Sequence, residues 1–207
     1  MLRKALMVLM VAGAAGFGIR AVAGDGYDEA AKTAKAGANA SAEAVTVFGV
    51  EVTSDKLRAA LAGFEMNEKS VRCPGCRAAL KNDGTCEHCH VSMAHGKAYR
   101  SPVAYALAKG TPMPAELVAA CPKRCDQCKT MHKENGFCTA CNVGFVADRM
   151  YSNEEDYRAA VAAHETLAKA AKAAESCEAC AVALVTDGTC DQCKVQFKDG
   201  KVAKHTG

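Results

Sequence analysis

Residues 73–97 read CPGCRAALKNDGTCEHCHVSMAHGK, and the pattern returns as CDQCKTMHKENGFCTACNVGFVADR at 125–149 and as CEACAVALVTDGTCDQCKVQFKDGK at 177–201. Twelve of the thirteen cysteines thereby fall into three sets: Cys73, Cys76, Cys86 and Cys89; Cys125, Cys128, Cys138 and Cys141; Cys177, Cys180, Cys190 and Cys193. Each set is spaced C-x2-C-x9-C-x2-C, and the offset between sets is 52 residues at all four positions. A fixed period of this length marks a tandem repeat whose copies are small supersecondary units.

Other positions keep the same register. Gly84, Gly136 and Gly188 coincide, preceded by Asp83, Asn135 and Asp187. Asp-Gly and Asn-Gly are strong signals for a two-residue hairpin turn, so each nine-residue spacer is expected to be a β-hairpin that folds one CxxC beside the other. Met93, Phe145 and Phe197 also coincide and read as the large apolar residue of each module. Gly96-Lys97, Asp148-Arg149 and Gly200-Lys201 suggest a second turn, followed in two copies by Tyr99 and Tyr151.

Between modules the pattern turns helical. Ser152 and Glu155 have capping-box spacing ahead of an alanine-rich stretch, Asp156 to Glu175. Ser101-Pro102 reads as an N-cap and first helical residue, with a break near Thr111-Pro112-Met113-Pro114. Upstream, Val45 to Val52 looks like a strand, and Thr53 or Ser54 caps a helix through Leu57, Leu61 and Phe64. The expected fold is a small α+β, metal-stabilised repeat protein. Its parts are a leader (1–23), a linker (24–43), a cysteine-free strand–helix cap (44–72) and three four-cysteine repeats (73–124, 125–176, 177–207).

Composition limits what such a chain can be. It has 207 residues, no Trp and few aromatics, which argues against one large core. Small modules short of apolar surface rely on cross-links or metals. Arg3 and Lys4, the apolar run from Ala5 to Ile19 and Ala21-Val22-Ala23 compose a secretory signal with cleavage before Gly24. The run is short for a membrane span of about 20 residues. An uncleaved N-terminal anchor is the alternative and would be the chain's one membrane contact. Without residues 1–23, Lys plus Arg falls from 26 to 23, equal to the 23 Asp plus Glu. A neutral exported chain lacks the clustered positive charge that nucleic-acid binding requires.

Four cysteines in two CxxC turns can place four sulfurs at the corners of a tetrahedron. Zn²⁺ favours such a set, and a closed four-thiolate shell is structural because it leaves no position for a reacting water. Cys73-Pro74-Gly75-Cys76 and Gly136-Phe137-Cys138-Thr139-Ala140-Cys141, with their repeats, resemble zinc ribbons of the short double-zinc-ribbon type. The resemblance covers about 25 residues per module. It implies that the four cysteines of each set bind one zinc and that the modules serve as interaction or scaffold elements. In that family a glycine often follows each CxxC, whereas here Arg77, His90, Lys129, Asn142, Ala181 and Lys194 stand there.

Competing chemistries are open at this level. The same donors suit iron in a rubredoxin-like site, although such sites bring aromatic surroundings. Export exposes thiols to oxidation, but a disulfide framework does not explain strictly paired CxxC turns. Cys86, Cys89 and His90 form the CxxCH of c-type haem attachment, with Met93, His88 or His95 as conceivable second axial ligands. Against haem, His90 aligns with Asn142 and Lys194, and Met93 with two phenylalanines. His132 aligns with Leu80 and Leu184 and reads as a hairpin filler. His164 falls on a helix and His205 in a tail. Cys121 is the odd thiol. No Ser-His-Asp set, phosphate loop or carboxylate pair is evident, so the chain is expected not to be an enzyme. The expectation is an exported protein (periplasmic, envelope or secreted) that presents three zinc modules to a protein partner. The alternatives are a haem or iron electron carrier and an envelope metal-handling protein.

Overall fold

The computed structural model describes residues 43–69, 71–120 and 125–206. Residues 1–23, expected to be a leader, most of the expected linker and Cys121 lie outside the described residues.

A hairpin opens the described chain. Strands β1 (Val45–Val47) and β2 (Val50–Val52) pair antiparallel. The sequence suggests one strand here, but Phe48 and Gly49 both take positive φ, 47° and 77°, and fold it in two. Helix α1 (Asp55–Leu61) follows, capped by the Ser54 hydroxyl, which accepts from the Leu57 N–H at 3.2 Å. It buries Leu57 and Leu61 and ends before Phe64, which instead lies in the short strand β3 (Phe64–Glu65).

The first cysteine unit corrects the expected hairpin spacer. Residues 74–82 form helix α2 (Pro74–Asn82), with Cys73 at its N-cap. Pro74 suits the first helical position, and Ala78, Ala79, Leu80 and Lys81 are good helix formers. Asp83, at φ 48°, ends the helix in the left-handed region, and the N–H groups of Asp83 and Gly84 both reach the Ala79 carbonyl. The Asp-Gly pair is therefore a helix C-terminus. After it come β4 (Thr85–Cys86), β5 (Val91–Ala94) and β6 (Lys97–Tyr99), with His95 and Gly96 at positive φ turning β5 into β6. The four strands are ordered β3-β6-β5-β4.

Helix α3 (Pro102–Ala108) has the expected Ser101 cap, whose hydroxyl accepts from the Ala104 N–H at 3.0 Å. Then come β7 (Thr111–Pro112) and α4 (Ala115–Ala120). The second unit comprises α5 (Asp126–Glu134), β8 (Phe137–Cys138), β9 (Val143–Val146) and β10 (Arg149–Tyr151), in a sheet ordered β7-β10-β9-β8. Helix α6 (Glu154–Ala174) is capped by Asn153, not by Ser152, since the Asn153 Oδ1 accepts from the Asp156 N–H at 2.8 Å. The third unit is α7 (Glu178–Thr186), β11 (Thr189–Cys190), β12 (Val195–Lys198) and β13 (Lys201–His205), with three strands only. His205 thus ends a strand and is not part of a loose tail. No helix among the described residues is long and apolar enough to cross a membrane.

The scarcity of aromatics does not prevent a central core. Helices α1, α3, α6 and α7 meet around Val52, Leu57, Leu107, Tyr151, Leu167 and Val185, all fully or almost fully buried. Alanines on α6 (Ala160, Ala163, Ala170) let the helices approach closely. Each fully buried leucine contributes about 1.5–3 kcal/mol. The first two cysteine units add small satellite cores. One joins Cys76 and Cys86 to Val71, Val91 and Met93; the other joins Cys128 and Cys138 to Phe145. Met93 and Phe145 are buried as their register implies, whereas Phe197 is half-buried against the central core.

Candidate metal centres

Each quartet is assembled from the same four local structures. The first cysteine (Cys73, Cys125 or Cys177) is the N-cap of a nine-residue helix, and the second (Cys76, Cys128 or Cys180) lies in its first turn. The third (Cys86, Cys138 or Cys190) ends a two-residue strand and is buried. The fourth (Cys89, Cys141 or Cys193) is exposed at the loop tip. One hydrogen bond holds strand and helix end together in every unit. The Gly84 carbonyl accepts from Met93 at 2.8 Å, Gly136 from Phe145 at 2.9 Å and Gly188 from Phe197 at 2.8 Å.

The residues after the CxxC pairs explain the departures from zinc-ribbon glycine. Arg77, Lys129 and Ala181 are helical, where glycine would only cost stability. His90, Asn142 and Lys194 take φ of 50°, 53° and 55°, the conformation for which glycine is preferred. The glycine requirement falls on three of the six positions, and this chain meets it with other residues.

In each quartet the four sulfurs all lie within 4.8 Å of one another, with no His, Asp or Glu among the donors. Sulfur–sulfur distances are 3.7 Å for Cys73–Cys86, 3.3–3.5 Å from Cys125 to its three companions, and 3.8 Å from Cys177 to Cys190 and Cys193. A tetrahedron of thiolates about 2.3 Å from a central ion has edges of about 3.8 Å. The spacing fits that geometry, and the twelve described cysteines are free thiols. All three groups could hold a metal ion.

Backbone N–H groups already favour negative charge on one sulfur per set. The Cys76 N–H lowers Cys73 to about 6, and the Cys128 N–H lowers Cys125 to about 7. The Cys193 N–H does the same for Cys190, to about 7. Burial pushes Cys76, Cys128 and Cys180 upward. A bound cation would reverse the second effect by releasing those protons.

The other candidates scatter. Cys86 and Cys89 belong to the first quartet, so haem attachment there would strand Cys73 and Cys76. Met93 is sealed in the satellite core, and His88 and His90 are exposed. The His95 ring reaches the Lys109 carbonyl at 3.1 Å. His132 sits on α5 and fills a helical position, not a hairpin one. It is buried edge-on to Phe145, with its Nε2 2.8 Å from the Met113 carbonyl. His164 lies on α6, as expected.

The chain matches no protein-family model, and comparisons with curated proteins and with solved structures find none similar to it.

Proposed function

We propose that this chain is an exported scaffold protein in which three zinc ions, one per quartet, hold three small units in fixed geometry for a protein partner. The observation that carries this reading is the threefold recurrence of a closed, all-sulfur donor set at tetrahedral spacing. Zn²⁺ bound there would supply cross-linking and no reactive water, because four thiolates complete its coordination. The helix N-caps and loop tips bring together residues distant in sequence, so each ion would tie α2, α5 or α7 to its own sheet. Zinc is favoured over rubredoxin-type iron because the first satellite core is built from valine, methionine, alanine and cysteine, with no aromatic residue among its buried members. No constellation for acid–base or nucleophilic catalysis accompanies the quartets among the described residues, so the function proposed is not enzymatic. Neutral net charge after leader removal supports a protein partner over nucleic acid. The leader sequence supports the periplasm, the envelope or the exterior as its place of action.

The test is elemental analysis with an optical spectrum, on protein produced with iron and haem maturation available. Three zinc per chain and a colourless solution are expected. A Soret band or stoichiometric iron would transfer the protein to electron transfer. Metal binding beyond three equivalents with rapid exchange would transfer it to metal handling.

A further inference from the structure

Among the described residues, the third unit lacks a strand that the first two possess. In the first, β3 covers the outer edge of β6, placing Phe64 opposite Ala98 and Glu65 opposite Lys97. In the second, β7 covers β10. Both covering strands lead straight into a methionine, Met66 or Met113, that packs on the cysteine-lined satellite core. In the third, the residues 52 positions beyond Thr111 and Pro112 are Ala163 and His164, inside α6. That helix runs almost directly into α7, so no strand can form between them.

Strand β13 is therefore the outer strand of its sheet among the described residues, and all five of its residues are exposed. Val202 occupies the register position of Ala98. Ala98 is 0% exposed and Val202 55%. Lys201 occupies the position of Lys97 but faces no counterpart of Glu65. The uncovered edge thus presents Val202 and Lys201 at the two register positions that Phe64 and Glu65 face in the first unit.

We propose that the edge of β13 receives an extended segment of the partner protein. That segment places an acidic residue opposite Lys201 and a large apolar side chain opposite Val202, as Glu65 and Phe64 stand opposite Lys97 and Ala98. Main-chain pairing would supply affinity and the two side-chain positions specificity, as in strand addition generally. A second copy of this chain is the poorer occupant. Lys201, Lys204 and His205 make β13 mostly basic, and a register shift between Gln196 and Phe197 disturbs its pairing with β12. Lysines and bulges on an edge strand oppose self-association while leaving it open to a charge-matched partner. This inference rests on the scaffold reading above and specifies where that scaffold binds.

The experiment uses the metal-loaded chain and a capped peptide of its own residues 63–69, Gly-Phe-Glu-Met-Asn-Glu-Lys, followed by amide NMR. Shifts centred on residues 201–203 are expected, with Kd below about 1 mM. Glu65→Lys in the peptide should weaken binding about fivefold. Lys201→Glu in the protein should reverse the preference, so that the lysine peptide binds the better. Absence of shifts in β13 at about 3 mM peptide, equal binding of the two peptides, or dimerisation of the chain through β13 would each overturn the proposal. A zinc-loaded chain that ignores the peptide removes this edge and leaves the scaffold reading in place. A chain without bound ions removes that reading before any peptide is added.

Discussion

The Asp83 carboxylate accepts a hydrogen bond from the backbone N–H of His95 at 3.0 Å, tying the end of α2 to the turn between β5 and β6. Asn135 does the same for Ala147 at 3.0 Å, and Asp187 for Asp199 at 2.9 Å. The left-handed residue that stops each helix thus also pins the hairpin behind its cysteine quartet. Asp187→Gly keeps the backbone conformation and removes the bond, and it should cost about 1 kcal/mol. Asp187→Asn should be near neutral, since Asn135 already does this work. Urea unfolding of the two variants checks the difference; equal losses would assign the effect to charge.

Tyr151 closes over Gly110. A Cβ on Gly110 would lie 2.6 Å from the Tyr151 Cζ, and the Tyr151 hydroxyl donates to the Leu107 carbonyl at 2.9 Å. Gly63 and Tyr99 repeat the arrangement at 2.7 Å. Tyr151 is buried and anchored, so Gly110→Ala should cost about 2–3 kcal/mol through overpacking. Thermal unfolding of the variant measures it, and an unchanged midpoint would mean that the ring has room to withdraw.

The repeat, the donor sets, the Ser101 cap and the buried roles of Met93 and Phe145 were legible because each rests on local spacing. The helical spacer was not. Asp-Gly is both a hairpin turn and a helix C-terminus, and only the six residues before it decide which. The N-terminal strand–helix cap matches the second linker at an offset of 47 residues (Ser54 to Ser101, Gly63 to Gly110), while the cysteines run at 52. Met66 lies seven residues before Cys73 and Met113 twelve before Cys125, which accounts for the difference. The central core was hidden because alanine supplies much of it, and alanine buried between close helices looks the same in sequence as alanine on a surface. All four sulfurs of each quartet follow from spacing, but their exposure gradient, with Cys89, Cys141 and Cys193 outermost, required the fold.

Metal removal should act unevenly. The satellite cores around α2 and α5 consist largely of ligand cysteines and their neighbours, whereas α7 contributes Ala181, Leu184 and Val185 to the central core. Under reducing conditions, a chelator should expose amides of 74–82 and 126–134 to hydrogen exchange well before those of 160–170. Uniform collapse of all helices would show that the central core does not stand without the ions.

Lys109 forms an ion pair with Asp156 in the first turn of α6, joining it to α3. Burial raises the Asp156 carboxyl, but the hydrogen bonds from Lys109 and Asn153 outweigh it and leave the group lowered. For Lys109, burial lowers and the carboxylate raises, with a net upward result. The acid's contribution is therefore present above its unfolded value of about 3.9 and lost as pH falls through its lower folded value. The lysine's is present below about 10.4 and lost above its raised one. Asp156→Asn should cost about 1 kcal/mol between those limits. The gap from wild type should close as pH falls through the lowered folded value of Asp156. A gap that persists in acid would assign the loss to packing.

The central claim is that thiolates gathered around ions, and not sulfur–sulfur bonds, hold the three units. Native mass spectrometry of the purified chain, paired with thiol alkylation after unfolding in chelator without reductant, tests it most directly. The account predicts three bound ions in the native spectrum and alkylation of all twelve quartet cysteines. A native mass without ions, together with quartet cysteines that resist alkylation until reduced, would contradict it.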